Sequence, residues 1–416
     1  MGRHARKSCE SQIAAKEEPG RIAMSAPSSN RALFAAACAG MSLFGVTLVI
    51  PGLLFGLASV RLRLEISDAV RQGNLQSAIM VGVFAATVFI GPLIDRYGTK
   101  IVLAAGAAML ACGFTGLSLV RGYEAGCATA FGAGLGAGAV NMATNVVVST
   151  IYPRDRGAKL NVLGVFFGVG ALSLPLLSAA NAWFTAERLL GLAAAFAALV
   201  AVVSAMLEFP RQAERGASFR EMLGVARYPA VLLFAFLLFF ESSNEMALIG
   251  WTTTWATAAG SSVRSAALML ATFQVGMMLG RIFAAAILRV VTKVQLVFAC
   301  AAGSVVASAL LLAGRTVSAT WVAVALLGLC FSPIYQTVLA LAGDRYQRFA
   351  GTAFGLLVSI ALIGSFTSPL VIGRIAQFAG VRTAALVPLV GAAAVCVLIA
   401  RIAGGTGASA AAGARQ

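Results

Sequence analysis

The sequence predicts an all-α membrane protein, with twelve transmembrane helices in two pseudo-symmetric six-helix bundles. Of 416 residues, 60% are hydrophobic and only 11% are charged, with a mean hydropathy of +0.90. A water-soluble fold of this length needs far more polar surface to cover its core. Apolar runs long enough to cross a bilayer follow one another along the chain, and part of the second half repeats the first.

The first 31 residues carry Arg3, Arg6, Lys7, Glu17, Glu18 and Pro19. They lack the apolar stretch and cleavage site of a secretory leader, so residues 1–31 are read as a disordered cytoplasmic tail, with Met24 as an alternative start. Runs near 32–58, 75–94, 100–120, 124–151, 159–181 and 188–208 form a first bundle over 32–208. Each approaches or exceeds the roughly 20 residues that cross about 30 Å of hydrocarbon. A polar connection over 209–228, with Arg211, Glu214, Arg215, Arg220, Glu221 and Arg227, divides the chain. Runs near 229–256, 265–288, 294–314, 319–342, 350–373 and 383–403 form the second bundle, and 404–416 is read as a disordered tail.

Charge orients the bundle. With both termini in the cytoplasm, 21 lysines and arginines fall inside, nine fall in the opposite loops, and Arg281 lies within a span. That asymmetry is the positive-inside bias, and it accounts for the net charge of +16 without a nucleic-acid partner. Sliding the second half back by 194 positions superposes Arg348 on Arg154, Gly351 on Gly157, Leu357 on Leu163, Gly364 on Gly170, Pro369 on Pro175 and Leu370 on Leu176. The fifth and eleventh spans are therefore counterparts, as a six-helix duplication requires.

The second span closes on Gly91, Asp95, Arg96, Gly98 and Lys100, read as a gating loop. An ionised Asp at a helix end can cap the positive start of a neighbouring helix while flanking cations hold the loop in the cytoplasm. The fourth span opens with glycines at 132, 134, 136 and 138, suited to close helix packing, and continues to Asn141 and Asn145. These asparagines are neighbours one turn apart, able to grip vicinal hydroxyls or to serve helix packing instead.

The seventh span holds Glu241, Asn244, Glu245, Leu248, Trp251, Thr252 and Trp255. Helical spacing puts both carboxyls and Trp255 on one face, which is expected to line a wet cavity. A charge at the bilayer centre costs at least about 2.5 kcal/mol unless it is solvated, paired or neutralised. Glu245 is read as the titrating or solute-binding acid. Glu241 is read as the ion-pair partner of Arg281, on the eighth span seven residues after Gln274. Asn161, Tyr335 and Gln336 sit at similar depths, and with the two indoles they offer the apolar and hydrogen-bonding mix of a sugar site. The sole histidine, His4, lies in the tail, and the cysteines are scattered, so neither a metal site nor a cofactor is implied.

The loop Gly91 to Lys100 resembles the G-x-x-x-D-R-x-G-R-K loop of the major facilitator superfamily, with Thr99 departing from the usual basic residue. The resemblance implies that Asp95 latches the halves together at the start of the eleventh span, near Gly351 and Thr352. The glycine run with Asn141 and Asn145, the stretch Leu160 to Pro175, Glu245 with Trp251, and Gly280 with Arg281 look like the sugar-permease branch. That branch includes fucose/proton symporters and sodium-dependent glucose transporters. Its proton symporters carry an acid where Asn141 stands, which leaves Glu245 as the coupling candidate. The function implied is secondary-active uptake of a sugar-like solute, with a proton or sodium as coupling ion, by a monomer in a bacterial-type inner membrane. The alternative is proton-driven efflux of drugs or amphiphiles. No nucleophile, base and orienting group cluster as an enzyme would require.

Overall fold

The computed structural model describes residues 27–55, 57–209, 229–345 and 350–413. The expected cytoplasmic tail before residue 27, the connection from 210 to 228 and Arg348 lie outside them. Among the described residues, twelve helices are long and apolar enough to cross a membrane. They are α1 (Pro27–Leu54), α2 (Ala69–Tyr97), α3 (Thr99–Leu119), α4 (Tyr123–Ile151), α5 (Arg156–Ala180) and α6 (Ala186–Met206), then α7 (Pro229–Ala258), α8 (Val263–Ile287), α9 (Lys293–Ala313), α10 (Val317–Arg345), α11 (Ala350–Ala379) and α12 (Leu386–Gly413). In hydrocarbon every backbone N–H and C=O must find a partner within the chain, and a helix supplies these bonds internally.

Four helix ends lie five or more residues from expectation, at the starts of α1 and α2 and the ends of α11 and α12, and two of them have a clear physical reason. The second helix begins six residues before the apolar run at 75, because Gln72 and Gln76 are buried in the protein. Asp68 caps it, its carboxylate accepting the Arg71 N–H at 2.8 Å, and this bond holds its carboxyl below the usual range. The last helix continues to Gly413 where a tail was expected from 404. The alanines at 408 and 410–412 favour helix.

Packing follows the duplication. In the first half α1 packs on α5 and α4, α2 on α4, and α3 on α4 and α6. In the second half α7 packs on α11 and α10, α8 on α10, and α9 on α10 and α12, each pair the counterpart six helices on. The halves meet where α2 lies along α11 and α5 along α8, again a counterpart pair, and where α1 meets α7. Side chains such as Leu199, Val202, Val306 and Val397 are more than half exposed on the outer faces, as lipid contact requires.

Candidate substrate and coupling site

The seventh helix is central: α1, α8, α10, α11 and α12 pack on it, and α2 reaches it through side-chain hydrogen bonds. Glu241 is 1% exposed, and Glu245, one turn later, is half-buried. The Arg281 charge on α8 acts on both carboxyls, and both carboxylates act on Tyr335 of α10. These four side chains, from three helices of the second half, form a cluster of two acids, a guanidinium and a phenol in which Glu241 is buried and the other three are half-buried.

Its wiring differs from the expected ion pair. Among the described residues Arg281 forms no ion pair with either acid; the two pairs present are Arg63 with Glu187 and Lys293 with Asp344. One Glu241 oxygen accepts from the Ser242 hydroxyl at 3.4 Å. The other Glu241 oxygen, Arg281 Nε and Gln274 Nε2 are buried without a hydrogen-bond partner among the described residues. Burying such atoms unpaired is costly, so a polar ligand or solvent is their natural complement. Arg281 also approaches α5 of the other half, its Nη1 standing 4.0 Å from where a Cβ on Gly164 would lie.

The residues expected to share one cavity-lining face of α7 meet different neighbours. Because the helix has protein on every side, its faces are divided among neighbours. Asn244 abuts Gly391 of α12. The Trp255 indole donates to the Val381 carbonyl at 2.9 Å, and Thr252 bonds the Leu248 carbonyl of its own helix. Trp251 is fully buried, its indole N–H unpartnered among the described residues.

On α4, Asn145 Nδ2 donates to Asn141 Oδ1 at 3.0 Å and to the Asn141 carbonyl at 2.8 Å. Both asparagines are half-buried and bonded to one another. Gln274 is buried and Tyr335 half-buried, whereas Asn161 and Gln336 are exposed.

In the gating loop Asp95, Arg96 and Gly98 are exposed, and Gly91 and Lys100 half-buried. Gly98 joins α2 to α3 at φ 83°, a conformation that favours glycine. Arg96 lies over the Tyr97 ring at 5.3 Å. Asp95 makes no hydrogen bond or ion pair among the described residues, so the latch is not formed by them. Sequence reasoning missed Gln72, Gln76 and Ser77 on α2, which bond the second half. Their signal was the pair of glutamines one turn apart at the edge of an apolar run.

The sequence profile of the Major Facilitator Superfamily matches residues 32–369. The chain belongs to this superfamily. As such it is a multi-pass membrane transporter. It is 23% identical over 354 residues to an uncharacterized MFS-type transporter, YfkL, of Bacillus subtilis (strain 168), across 78% of this chain and 87% of that protein. Its fold is similar to the crystal structure of the nucleoside transporter NupG (D323A mutant), with a TM-score of 0.75 and 12% identity over 89% of this transporter and 98% of that chain.

Proposed function

We propose that this transporter is a secondary-active carrier, coupling an ion gradient to uptake of a sugar or similar small polar solute by alternating access of its two halves. The observation that carries this reading is the cluster of Glu241, Glu245, Arg281 and Tyr335 inside membrane-spanning helices. Ionisable groups at that depth are costly and mark ion or substrate paths. The sequence holds no Walker motif, so the energy comes from a gradient. In this reading Glu245, the less buried acid, exchanges the coupling proton or sodium, while Glu241 and Arg281 compensate one another. Asn141, Asn145, Gln274, Tyr335 and Trp251 supply hydrogen bonds and an apolar ring face to the solute. The positive-inside bias of the loops supports an orientation with both termini and the Asp95 end cytoplasmic, in a bacterial-type inner membrane.

The test is uptake by proteoliposomes of labelled hexoses, pentoses and nucleosides under an imposed proton or sodium gradient. Accumulation of one of them above its external concentration is expected with one ion. Extrusion of amphiphilic cations with no sugar-like solute moved would overturn the proposal. Asp95→Asn is expected to slow turnover by roughly tenfold, the order of a typical conformational coupling, with solute affinity unchanged. A normal rate removes the latch. Arg281→Ala is expected to be partly rescued by Glu241→Gln, with an interaction energy of about 0.5–3 kcal/mol in a double-mutant cycle on transport and thermal stability. Strictly additive losses contradict the compensation.

A further inference from the structure

We infer that the end of the transporter opposite the Asp95 loop is held shut by a neutral, hydrogen-bonded gate in which Gln72 and Gln76 of α2 clamp α7. Breaking it opens the carrier to that side. The inference rests on the alternating-access reading for its role, though not for its geometry.

Both glutamines are 2% exposed. Gln72 Nε2 donates to the Thr254 hydroxyl at 3.0 Å, and its Oε1 accepts from Arg61 Nη1 at 3.3 Å. One turn later, Gln76 Nε2 donates to the Met246 carbonyl at 3.0 Å. Its carboxamide lies flat against Gly250, where any Cβ would overlap it. Met246, Gly250 and Thr254 recur every fourth residue, so one face of α7 meets one face of α2. Ser77 donates to the Phe366 carbonyl of α11 at 2.8 Å, and Thr253 of α7 donates to the Gly52 carbonyl of α1. Beside them Gly73 abuts the Pro369 carbonyl, and a Cβ on Gly373 would stand 2.7 Å from the Ala69 carbonyl. All of these contacts except the Arg61–Gln72 bond, which lies within the first half, join the first half to the second, and all lie toward the end where α2 begins and α7 finishes.

None of them is an ion pair. The two ion pairs among the described residues each stay within one half. Charged gates weaken with salt and with titration, whereas amide and hydroxyl bonds to backbone carbonyls do neither, and water can replace each of them as the halves part. The gate is also wired to the acids, because the carbonyl that Gln76 holds belongs to Met246, the residue after Glu245. Movement of the α7 backbone at the acid therefore strains or releases the clamp directly.

Losing one such bond shifts an open and shut equilibrium by about fivefold. The experiment is double electron–electron resonance on the full chain in nanodiscs, in a background with native cysteines replaced and transport retained. One label pair sits at Arg121 and Arg315, exposed at the shut end. A second sits at Tyr97 and Val290, exposed at the Asp95 end. Gln76→Leu and the near-isosteric Thr253→Val are each expected to raise the long-distance population of the first pair relative to the short by about fivefold, with the second pair shortening. Raised salt is expected to leave the wild-type distributions unchanged. Unaltered distances in both variants, or opening by salt alone, overturn the inference. Should Gln76→Leu fail to fold, Thr253→Val with Ser77→Ala decides it. The distances are read without solute, so the gate can fail while uptake stands, and uptake can fail while the gate stands.

Discussion

Glu245→Gln is expected to abolish gradient-driven accumulation while leaving solute exchange intact. The substitution keeps the size of the side chain and its ability to hydrogen-bond, so the solute site survives, but an amide neither releases a proton nor carries the charge that holds sodium. Glu245 is the acid suited to this role because it is half-buried, whereas Glu241 is 1% exposed and bonded to Ser242. A gradient of one pH unit sustains up to roughly tenfold accumulation in one-to-one proton symport, since one unit corresponds to about 1.36 kcal/mol. In proteoliposomes the variant should therefore fall from that ratio to equal concentrations, with counterflow of labelled solute near the wild-type rate. Undiminished accumulation would remove Glu245 from the coupling role. Loss of counterflow as well would place it in the solute site, and Glu241→Gln, measured alongside, shows whether the two acids act as a unit.

Much of this was legible in the sequence, for a reason specific to membranes: helices must be apolar over a fixed length, so the spans announce themselves. The acids of α7 and Arg281 of α8 announced themselves too, as charges where lipid forbids them. Their neighbours did not. Periodicity gives the face of a helix on which a side chain lies, but not what stands opposite. The seventh helix has partners all round, so Trp255 points to Val381 and Asn244 to Gly391 although they share a stripe with the acids. Gln72 and Gln76 escaped notice for the converse reason. Polar residues at the edge of an apolar run read as the end of a span, and only packing against the other half shows them buried.

The repeat detected at a spacing of 194 leads to the second large effect. Gly170 of α5 and Gly364 of α11 are counterparts. A Cβ on Gly170 would run into the Ser42 carbonyl of α1, and one on Gly364 into the Phe239 carbonyl of α7. Gly45 of α1 meets the Phe167 carbonyl in the same way, and the Ser42 hydroxyl bonds the Phe166 carbonyl across this crossing at 2.9 Å. Small residues here let two backbones touch, and in lipid such packing is a main source of helix association. A side chain at the far end of a rotamer can move aside; a backbone carbonyl cannot, so the helices must separate along their length. Gly170→Val and Gly364→Val are each expected to destabilise their half by about 3 kcal/mol or more, at or above the upper end of ordinary overpacking. The readout is the thermal midpoint of the purified protein and the fraction recovered monodisperse. Gly191→Ala on α6, where a Cβ meets nothing within 4 Å, is the matched control and should gain up to about 1 kcal/mol from helix propensity. Valine variants that melt with the wild type would show that the two crossings are not the close backbone contacts on which the paired bundles are built.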